Sequence, residues 1–140
     1  MPRLYLLLGT NLGDRRANLQ EALRRLDAVF GVREVQAQVV ETKAIGFNGG
    51  DFLNTAVCYR TRRRPERILA LCKEIEHAMG RTDPPEYAPD GSRIYHDRII
   101  DIDILSYGRL ECNTPQLTIP HPQLRSRPFA AALYAQIGGK

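Results

Sequence analysis

Residues 3–30 read RLYLLLGTNLGDRRANLQEALRRLDAVF, and they set the first two elements of the fold. The apolar run at 4–8, closed by Gly9, predicts a short buried strand over residues 3–9. From residue 15 to residue 30, apolar side chains recur every three or four positions, which is the pattern of an amphipathic helix. Asp14 is a suitable N-cap and Gly31 a suitable end. The chain therefore opens with a strand followed by a helix.

The chain after this helix continues with the same two kinds of element. Residues 32–42 are rich in β-branched side chains, and residues 52–61 form a second run of this kind, so the two can pair as antiparallel strands. Pro65 stands where a first helical turn tolerates proline, and it begins a second amphipathic helix that ends at Gly80. Residues 99–105, in which apolar and polar side chains alternate strictly around Asp101 and Asp103, predict a fourth strand.

The resulting order, β-α-β-β-α-β, predicts an α+β protein of the ferredoxin-like type. In this fold an antiparallel sheet is covered by helices packed on one face. A short helix is expected over 129–136, and long loops separate the last elements. With 140 residues and 15.8 kDa, the chain has the size of one domain, which we expect over residues 1–140.

Composition excludes several classes of protein. The apolar fraction of 43% is typical of folded domains, so disorder is not expected. The run at 4–8 is shorter than the roughly 20 residues of a membrane span, and shorter than the about 7–15 apolar residues of a signal peptide. Three cysteines without a CxxC pair (Cys58, Cys72 and Cys112) predict neither a disulfide framework nor a zinc site. We expect a cytoplasmic protein without a membrane segment.

The basic residues are mostly arginine. The net charge is +4, and the sequence contains 17 Arg but 3 Lys. Arginine binds phosphate and carboxylate groups through two parallel hydrogen bonds, so this composition favours a phosphorylated ligand. A GC-rich genome, which favours Arg codons, would produce the same excess.

Asp101 and Asp103 are the most distinctive polar pair. At positions i and i+2 of a strand, both carboxylates point to the same face. Two such charges are costly unless a cation neutralises them, and oxygen ligands without His or Cys favour Mg²⁺ over zinc. The alternative is an acidic pair that faces solvent on an edge strand.

The region before these acids is a long aperiodic stretch, residues 81–98. Loops of this length are uncommon inside compact domains and are usually functional or disordered. Arg81 and Arg98 bound the stretch, and Arg125 and Arg127 follow farther on. Arginines around a carboxylate-bound Mg²⁺ are typical of phosphoryl transfer, although each of them alone also fits a solvated surface charge. Since no Walker A sequence is present, a P-loop is excluded.

Phe52 and Asn54 share one face of the third predicted strand. An aromatic ring and an amide together can bind a planar heterocycle, by stacking and by hydrogen bonds to its edge. Phe129 could stack on the opposite face of such a ligand. The alternative is that Phe52 and Phe129 are ordinary core aromatics, whereas Asn is depleted in strands and therefore suggests a role.

Taken together, four motifs in this order resemble a known family, 6-hydroxymethyl-7,8-dihydropterin pyrophosphokinase. The motifs are Gly9-Thr10-Asn11-Leu12, Phe52-Leu53-Asn54, Arg98-Ile99-Ile100-Asp101-Ile102-Asp103-Ile104 and Ile119-Pro120-His121-Pro122. The resemblance implies a monomeric enzyme of folate biosynthesis with a ferredoxin-like fold. It implies transfer of the pyrophosphoryl group of ATP to the hydroxymethyl oxygen of the pterin, with release of AMP.

The resemblance also implies roles for individual residues. Asp101 and Asp103 would bind two Mg²⁺ ions, and Arg81 and Arg98 would close over the phosphates as catalytic residues. The residues that would meet ATP are Glu76, Ile104, Gln116, Thr118, His121 and Arg127. The residues that would meet the pterin are Thr42, Ile45, Phe52, Asn54 and Phe129.

The sequence departs from the family pattern around the phosphates. Lys43 follows Thr42 where the family commonly has proline, Tyr95 replaces a tryptophan, and His96-Asp97 replace Gly-Pro. These changes affect the loops rather than the class of reaction. A noncatalytic homologue that binds pterin or nucleotide is the alternative function, and an RNA-binding ferredoxin-like module is another. We expect no nucleic-acid partner, because Asp101 and Asp103 would repel phosphate in the absence of a metal ion.

Overall fold

A computed structural model of the chain describes residues 1–43, 50–80, 86–87, 89, 93–94 and 99–139. In chain order, these residues form β1 (Arg3–Thr10), α1 (Arg15–Phe30), β2 (Val35–Gln36), β3 (Val40–Thr42), β4 (Phe52–Arg60), α2 (Pro65–Ala78), β5 (Glu86–Tyr87), β6 (Arg93–Ile94), β7 (Asp101–Tyr107), β8 (Cys112–Asn113), β9 (Thr118–Ile119), α3 (Gln123–Ser126) and α4 (Pro128–Gln136). The protein is α+β, as predicted from the pattern of the sequence.

The main sheet is antiparallel, in the order β2-β4-β1-β7, and β3 also pairs with β4. The strand expected over 32–42 is therefore two short strands instead of one. The interruption includes Ala37, whose carbonyl accepts a hydrogen bond from the Thr55 hydroxyl (2.9 Å). A side-chain donor thus competes with the regular backbone ladder at this point.

The first helix has the predicted bounds and the predicted caps. Asp14 Oδ1 accepts a hydrogen bond from the backbone N–H of Ala17 (3.1 Å), which satisfies one of the unpaired donors of the first turn. Gly31 follows the last turn with φ of +93°, a conformation that favours glycine, and its N–H bonds to the Asp27 carbonyl. The prediction for this helix is confirmed.

One face of the sheet is covered by α1 and α2. Leu4, Leu6 and Leu8 of β1 alternate toward these helices, and all three are completely buried. Leu26 of α1 and Ile68 of α2 pack into the same cluster. Burial of large aliphatic side chains is the main stabilising contribution to such a core. This face matches the expected arrangement of helices on the sheet.

The opposite face is covered by α4 over part of its length. Tyr5 and Leu7 of β1 form a second cluster with Leu105 and with Leu133 of α4. A β-bulge in the β1–β7 pairing, between Tyr5 and Leu6, leaves Leu105 as the extra residue of β7. The expectation of helices on one face thus holds for α1 and α2, and α4 lies on the other face. None of the helices in the described part of the chain is both long and apolar enough to cross a membrane.

Candidate functional site

The face that carries α4 ends in a group of polar residues, which we call the polar end: Gly9, Asn54, Asp101 and Asp103. The register places Gly9 opposite Asn54 of β4 and opposite Asp101 of β7, so the three lie in one row across the sheet. Asp103 lies one row away, opposite Leu7. Residues that are far apart in sequence therefore meet on one surface because the neighbouring strands β4, β1 and β7 hold them in register.

Gly9 makes room for Asn54. A Cβ atom built on Gly9 would lie 2.9 Å from Asn54 Oδ1 and 3.6 Å from Phe52 Cδ1. The first distance is shorter than real Cβ contacts, so any other residue would displace the Asn54 amide. From the sequence, Gly9 is the end of a strand and the first residue of the Gly9-Thr10-Asn11-Leu12 motif. Its role depends on a cross-strand neighbour, which the sequence pattern does not give.

Three of the residues predicted to bind pterin are brought together. Asn54 is 4% exposed, and its Nδ2 donates a hydrogen bond to Thr42 Oγ1 (2.7 Å). Thr42 pairs with Phe52 in the β3–β4 ladder, and Phe52 is half-buried. A fourth predicted contact, Ile45, lies outside the described residues.

Two further side chains, to which the sequence assigned no individual role, hold the segments that flank this group. Asn11 Nδ2 donates to the carbonyl of Gly50 (3.0 Å). Arg15 Nη1 donates to the carbonyl of Asp51 (2.9 Å) and to Glu41 Oε2 (2.8 Å). A basic residue in the first turn of a helix is disfavoured by the helix dipole, and this was a signal that Arg15 has another role.

Asp101 and Asp103 on β7 are half-exposed. Two other side chains form hydrogen bonds with this strand. Asp103 Oδ2 accepts a hydrogen bond from Gln123 Nε2 (3.0 Å). Glu76, which is 4% exposed, accepts one from the backbone N–H of Ile102, with Oε2 at 2.7 Å. The Glu76 carboxylate thus supports the strand that carries both acids. Sequence analysis predicted it as an ATP contact.

The segment after β9 also binds to β7. The backbone N–H of His121 donates to the carbonyl of Leu105 (2.9 Å), the extra residue of the bulge. His121 Nδ1 accepts a hydrogen bond from the backbone N–H of Gln123 (3.1 Å). Because Nδ1 is an acceptor, a neutral His121 ring carries its proton on Nε2, which is then a donor.

Beside this segment lies a cavity of about 490 Å³, within the size range of small-molecule sites. Two of the predicted ATP contacts, Thr118 and His121, line it together with Arg125. A third, Gln116, is exposed just before β9. Ile104 is also predicted to meet ATP, and strand alternation directs its side chain into the core formed with α1 and α2, where it is 3% exposed. Its backbone is therefore the part that can meet a ligand.

Arg127 and Phe129 lie together at the start of α4. The Arg127 guanidinium carbon is 4.6 Å from the centre of the Phe129 ring, which is a cation–π distance. Arg127 Nε is buried, and no hydrogen-bond partner for it occurs among the described residues. The two predicted catalytic arginines, Arg81 and Arg98, lie outside the described residues.

The buried cysteines have the properties of packing residues. Burial, together with smaller contributions from the nearby Glu76 and Asp103 carboxylates, raises the pKa of the Cys72 thiol to about 12. Burial also raises the pKa of Cys58. Because a thiolate is the reactive form, both side chains are poor nucleophiles at neutral pH.

Comparison with known proteins relates this chain to a family. The family model described as 7,8-dihydro-6-hydroxymethylpterin-pyrophosphokinase matches residues 5–138. A 2-amino-4-hydroxy-6-hydroxymethyldihydropteridine pyrophosphokinase of Porphyromonas gingivalis is 38% identical over 131 residues, which cover 92% of this chain and 86% of that protein. The enzyme of the same name from Bacillus subtilis is 35% identical over 136 residues, which cover 95% of this chain and 76% of that protein. The folate synthesis bifunctional protein of Pisum sativum is 39% identical over 132 residues, covering 92% of this chain and 24% of that protein. The chain belongs to the 7,8-dihydro-6-hydroxymethylpterin-pyrophosphokinase family.

Proposed function

We propose that the polar end is the place where this protein carries out the reaction of its family. It is an ATP-dependent pyrophosphokinase of folate biosynthesis, which transfers the pyrophosphoryl group of ATP to the hydroxymethyl group of 6-hydroxymethyl-7,8-dihydropterin and releases AMP. The observation that carries the assignment of the site is the row formed by Asn54, Gly9 and Asp101, with Asp103 beside it. The Asn54 side chain, which suits a heterocycle, therefore lies on the same surface as the Asp101 and Asp103 carboxylates, which suit a cation.

We propose that the pterin binds between Phe52 and Phe129, with its polar edge at Asn54, Thr42 and the backbone near Ile45. The hydrogen bond from Asn54 Nδ2 to Thr42 fixes the orientation of the amide, so that Oδ1 lies on the side of Gly9. That oxygen can accept a hydrogen bond from an N–H group of the ring. Since Asn54 is almost fully buried, a ligand that lacks the matching donor would leave it unpaired, at a cost in affinity.

The donor set on β7 fits magnesium. Asp101 and Asp103 offer carboxylate oxygens on one face, and Mg²⁺ in phosphate sites is usually held by one or two carboxylates plus phosphate oxygens and water. Among the described residues, no group of three or more His, Cys, Asp and Glu side chains could hold a metal ion. We propose that ATP and water supply the remaining ligands. We propose two Mg²⁺ ions at this pair; when bound, they neutralise phosphate charge and make the β-phosphorus more electrophilic.

We propose that ATP extends from the cavity beside His121 to the acids on β7. The family positions that would meet it are Glu76, Ile104, Gln116, Thr118, His121 and Arg127. Two contacts support this assignment. His121 lines the cavity, and the hydrogen bond from the Gln123 N–H to Nδ1 orients its ring. Arg127 has a buried Nε that a bound anion would satisfy, which would offset the cost of an unpaired donor.

In the chemical step, the hydroxymethyl oxygen attacks the β-phosphorus, the bond from that phosphorus to the α-phosphate oxygen breaks, and the hydroxyl proton is lost. The chain contributes by orienting the two substrates in line at the polar end and by placing positive charge around the phosphates. We propose Arg81 and Arg98 for the latter role. Their guanidinium groups suit charge that develops on the bridging oxygen as AMP leaves.

We also propose that residues 1–140 form one domain of the ferredoxin-like βαββαβ type. The order β2-β4-β1-β7 supports this when β2 and β3 together count as the second strand of that fold. The packing of α1 and α2 on one face supports it as well. As part of the same proposal, the protein acts as a monomer in the cytoplasm without nucleic acid.

The decisive experiment identifies the nucleotide product. The protein is incubated with ATP, Mg²⁺ and 6-hydroxymethyl-7,8-dihydropterin, and the nucleotides are separated by ion-exchange chromatography. We expect AMP in equal amount to the pyrophosphorylated pterin. Formation of ADP would contradict pyrophosphoryl transfer, and binding of both substrates without AMP would indicate a noncatalytic homologue. Omission of the pterin is the control for ATP hydrolysis.

A further inference from the structure

Gln123 stands directly beside the proposed metal ligands, although no motif in the sequence drew attention to it. It is the first residue of α3 and is 6% exposed. We propose that Gln123 is a positioning residue for Asp103, which holds that carboxylate in the orientation a cation needs. The inference rests on the proposed function, because it takes Asp103 as a metal ligand.

The hydrogen bond between the two side chains restrains Asp103. An ionised carboxylate only accepts hydrogen bonds, so the Gln123 amide must turn its Nε2 toward Asp103 Oδ2, as the structure has it. A half-exposed Asp side chain otherwise samples several rotamers. Because Gln123 is itself almost fully buried, its side chain is a fixed donor. The bond uses Oδ2, and the carboxylate can present Oδ1 to a cation.

The chemical type of residue 123 suits this role. A neutral amide orients the carboxylate without neutralising its charge. An Arg or Lys at this position would stabilise the ionised Asp103 but would compete with Mg²⁺ for it, and an acidic residue would repel it. Glutamine is therefore a side chain that restrains a metal ligand and preserves its affinity for the metal ion.

The backbone of the same residue restrains His121. The N–H of Gln123 donates to His121 Nδ1, and the His121 N–H donates to the carbonyl of Leu105 on β7. A side-chain substitution at Gln123 leaves these backbone hydrogen bonds in place. A variant at this position therefore tests the contact with Asp103 separately from the contact with His121.

The test measures binding of Mn²⁺ as a probe of the metal site. Mn²⁺ is titrated into the protein with saturating α,β-methylene-ATP, in which the bond that would break is blocked, and free Mn²⁺ is followed by electron paramagnetic resonance. Gln123→Met has a similar length and lacks the donor. We expect its Mn²⁺ affinity to fall about tenfold, since residues that orient metal ligands typically contribute 10–100-fold. Gln20→Met, on the exposed face of α1, makes the same chemical change elsewhere and should bind Mn²⁺ as the unmodified protein does.

A double-mutant cycle separates this role from a general structural effect. Asp103→Asn should weaken Mn²⁺ binding, and adding Gln123→Met to it should weaken binding no further, because Gln123 acts through Asp103. An equal additional loss in both backgrounds would overturn the inference. Nitrogen-15 NMR of His121 serves as a control, since its tautomer should be the same in Gln123→Met.

The same cycle distinguishes failure of the inference from failure of the proposed function. If Asp103→Asn lowers Mn²⁺ affinity and Gln123→Met does not, the role of Gln123 is wrong and the metal site stands. If Asp103→Asn itself has no effect, the proposed metal site is wrong, and the inference fails with it. Should Gln123→Met not fold, Gln123→Leu also lacks the donor and adds no new ligand for the cation. The same loss of Mn²⁺ affinity is then expected, and unchanged affinity would overturn the inference.

Discussion

Two ends of one sheet face have opposite character, although the same three strands build both. Near one end, Tyr5, Leu7 and Leu105 pack under α4 in an apolar cluster. At the other end, Gly9, Asn54 and Asp101 form a polar row. The β1–β4 ladder runs through both ends without a register shift, so the difference between the two ends comes mainly from their side chains. A rigid sheet covered on its other face by α1 and α2 can thus hold polar groups in fixed positions at one end without losing its core.

The comparison implies that substitutions at the polar end change activity and that those in the core change stability. Active sites commonly contain arrangements that do not stabilise the fold, such as neighbouring carboxylates. Core residues contribute mainly through burial and packing. Each of the following variants tests whether the two properties separate in this way.

The largest effect is expected for Asp103→Ala at the polar end. The variant loses a proposed metal ligand, so kcat/KM should fall about 10³-fold, which corresponds to roughly 4 kcal/mol. Stability should change by only about 1 kcal/mol, because Gln123 loses its acceptor while crowding of the two carboxylates is relieved. Steady-state kinetics and a urea unfolding curve provide the two measurements. Unchanged turnover would show that the acids are only a surface feature.

Leu6→Ala should have a smaller effect, and it should change stability instead of activity. Leu6 is completely buried between β1 and the helices, so its truncation leaves a cavity and should cost about 3 kcal/mol of unfolding free energy. The kcat of the folded fraction should be unchanged. Urea unfolding gives the stability, and activity is measured well below the unfolding midpoint. A lower kcat at full folding would show that the core and the polar end are coupled.

Asn54→Leu should have an intermediate effect on binding of one substrate. The pterin loses hydrogen bonds in a nearly dry site, which should weaken its binding by about 2 kcal/mol, or roughly 30-fold. ATP binding should change much less. Isothermal titration calorimetry with each ligand tests this expectation. Equal losses for both ligands would instead indicate a general distortion of β4.

The smallest effect is expected for Arg15→Ala. The ion pair with Glu41 is partly exposed, and such pairs contribute about 0–1 kcal/mol. We expect the KM for pterin to rise by a factor of about 2–5, because the segments next to Thr42 and Phe52 lose a shared hydrogen-bond donor. The KM for ATP and kcat should stay the same. Arg16→Ala removes an exposed charge one residue away and is the matched control; an equal rise there would attribute the effect to charge alone.

Elements whose signal is local could be predicted from the sequence. The helix over residues 15–30 was predicted with its bounds and caps, because periodicity and the capping residues Asp14 and Gly31 act within a few positions. The alternation around Asp101 and Asp103 likewise assigned both acids to one face of a strand. The motifs were specific enough to indicate the family, which the comparisons confirmed.

Features that depend on contacts between residues distant in sequence could be seen only in the folded structure. The strand expected over 32–42 divides into β2 and β3, and the interruption includes Ala37, whose carbonyl accepts a bond from the Thr55 side chain of another strand. The need for glycine at position 9 is visible only when the strand register places Asn54 beside it. The role of Gln123 is visible only when loop packing places Asp103 beside it. Periodicity reports which face a side chain occupies, whereas a close contact between two strands or a buried hydrogen bond depends on three-dimensional packing.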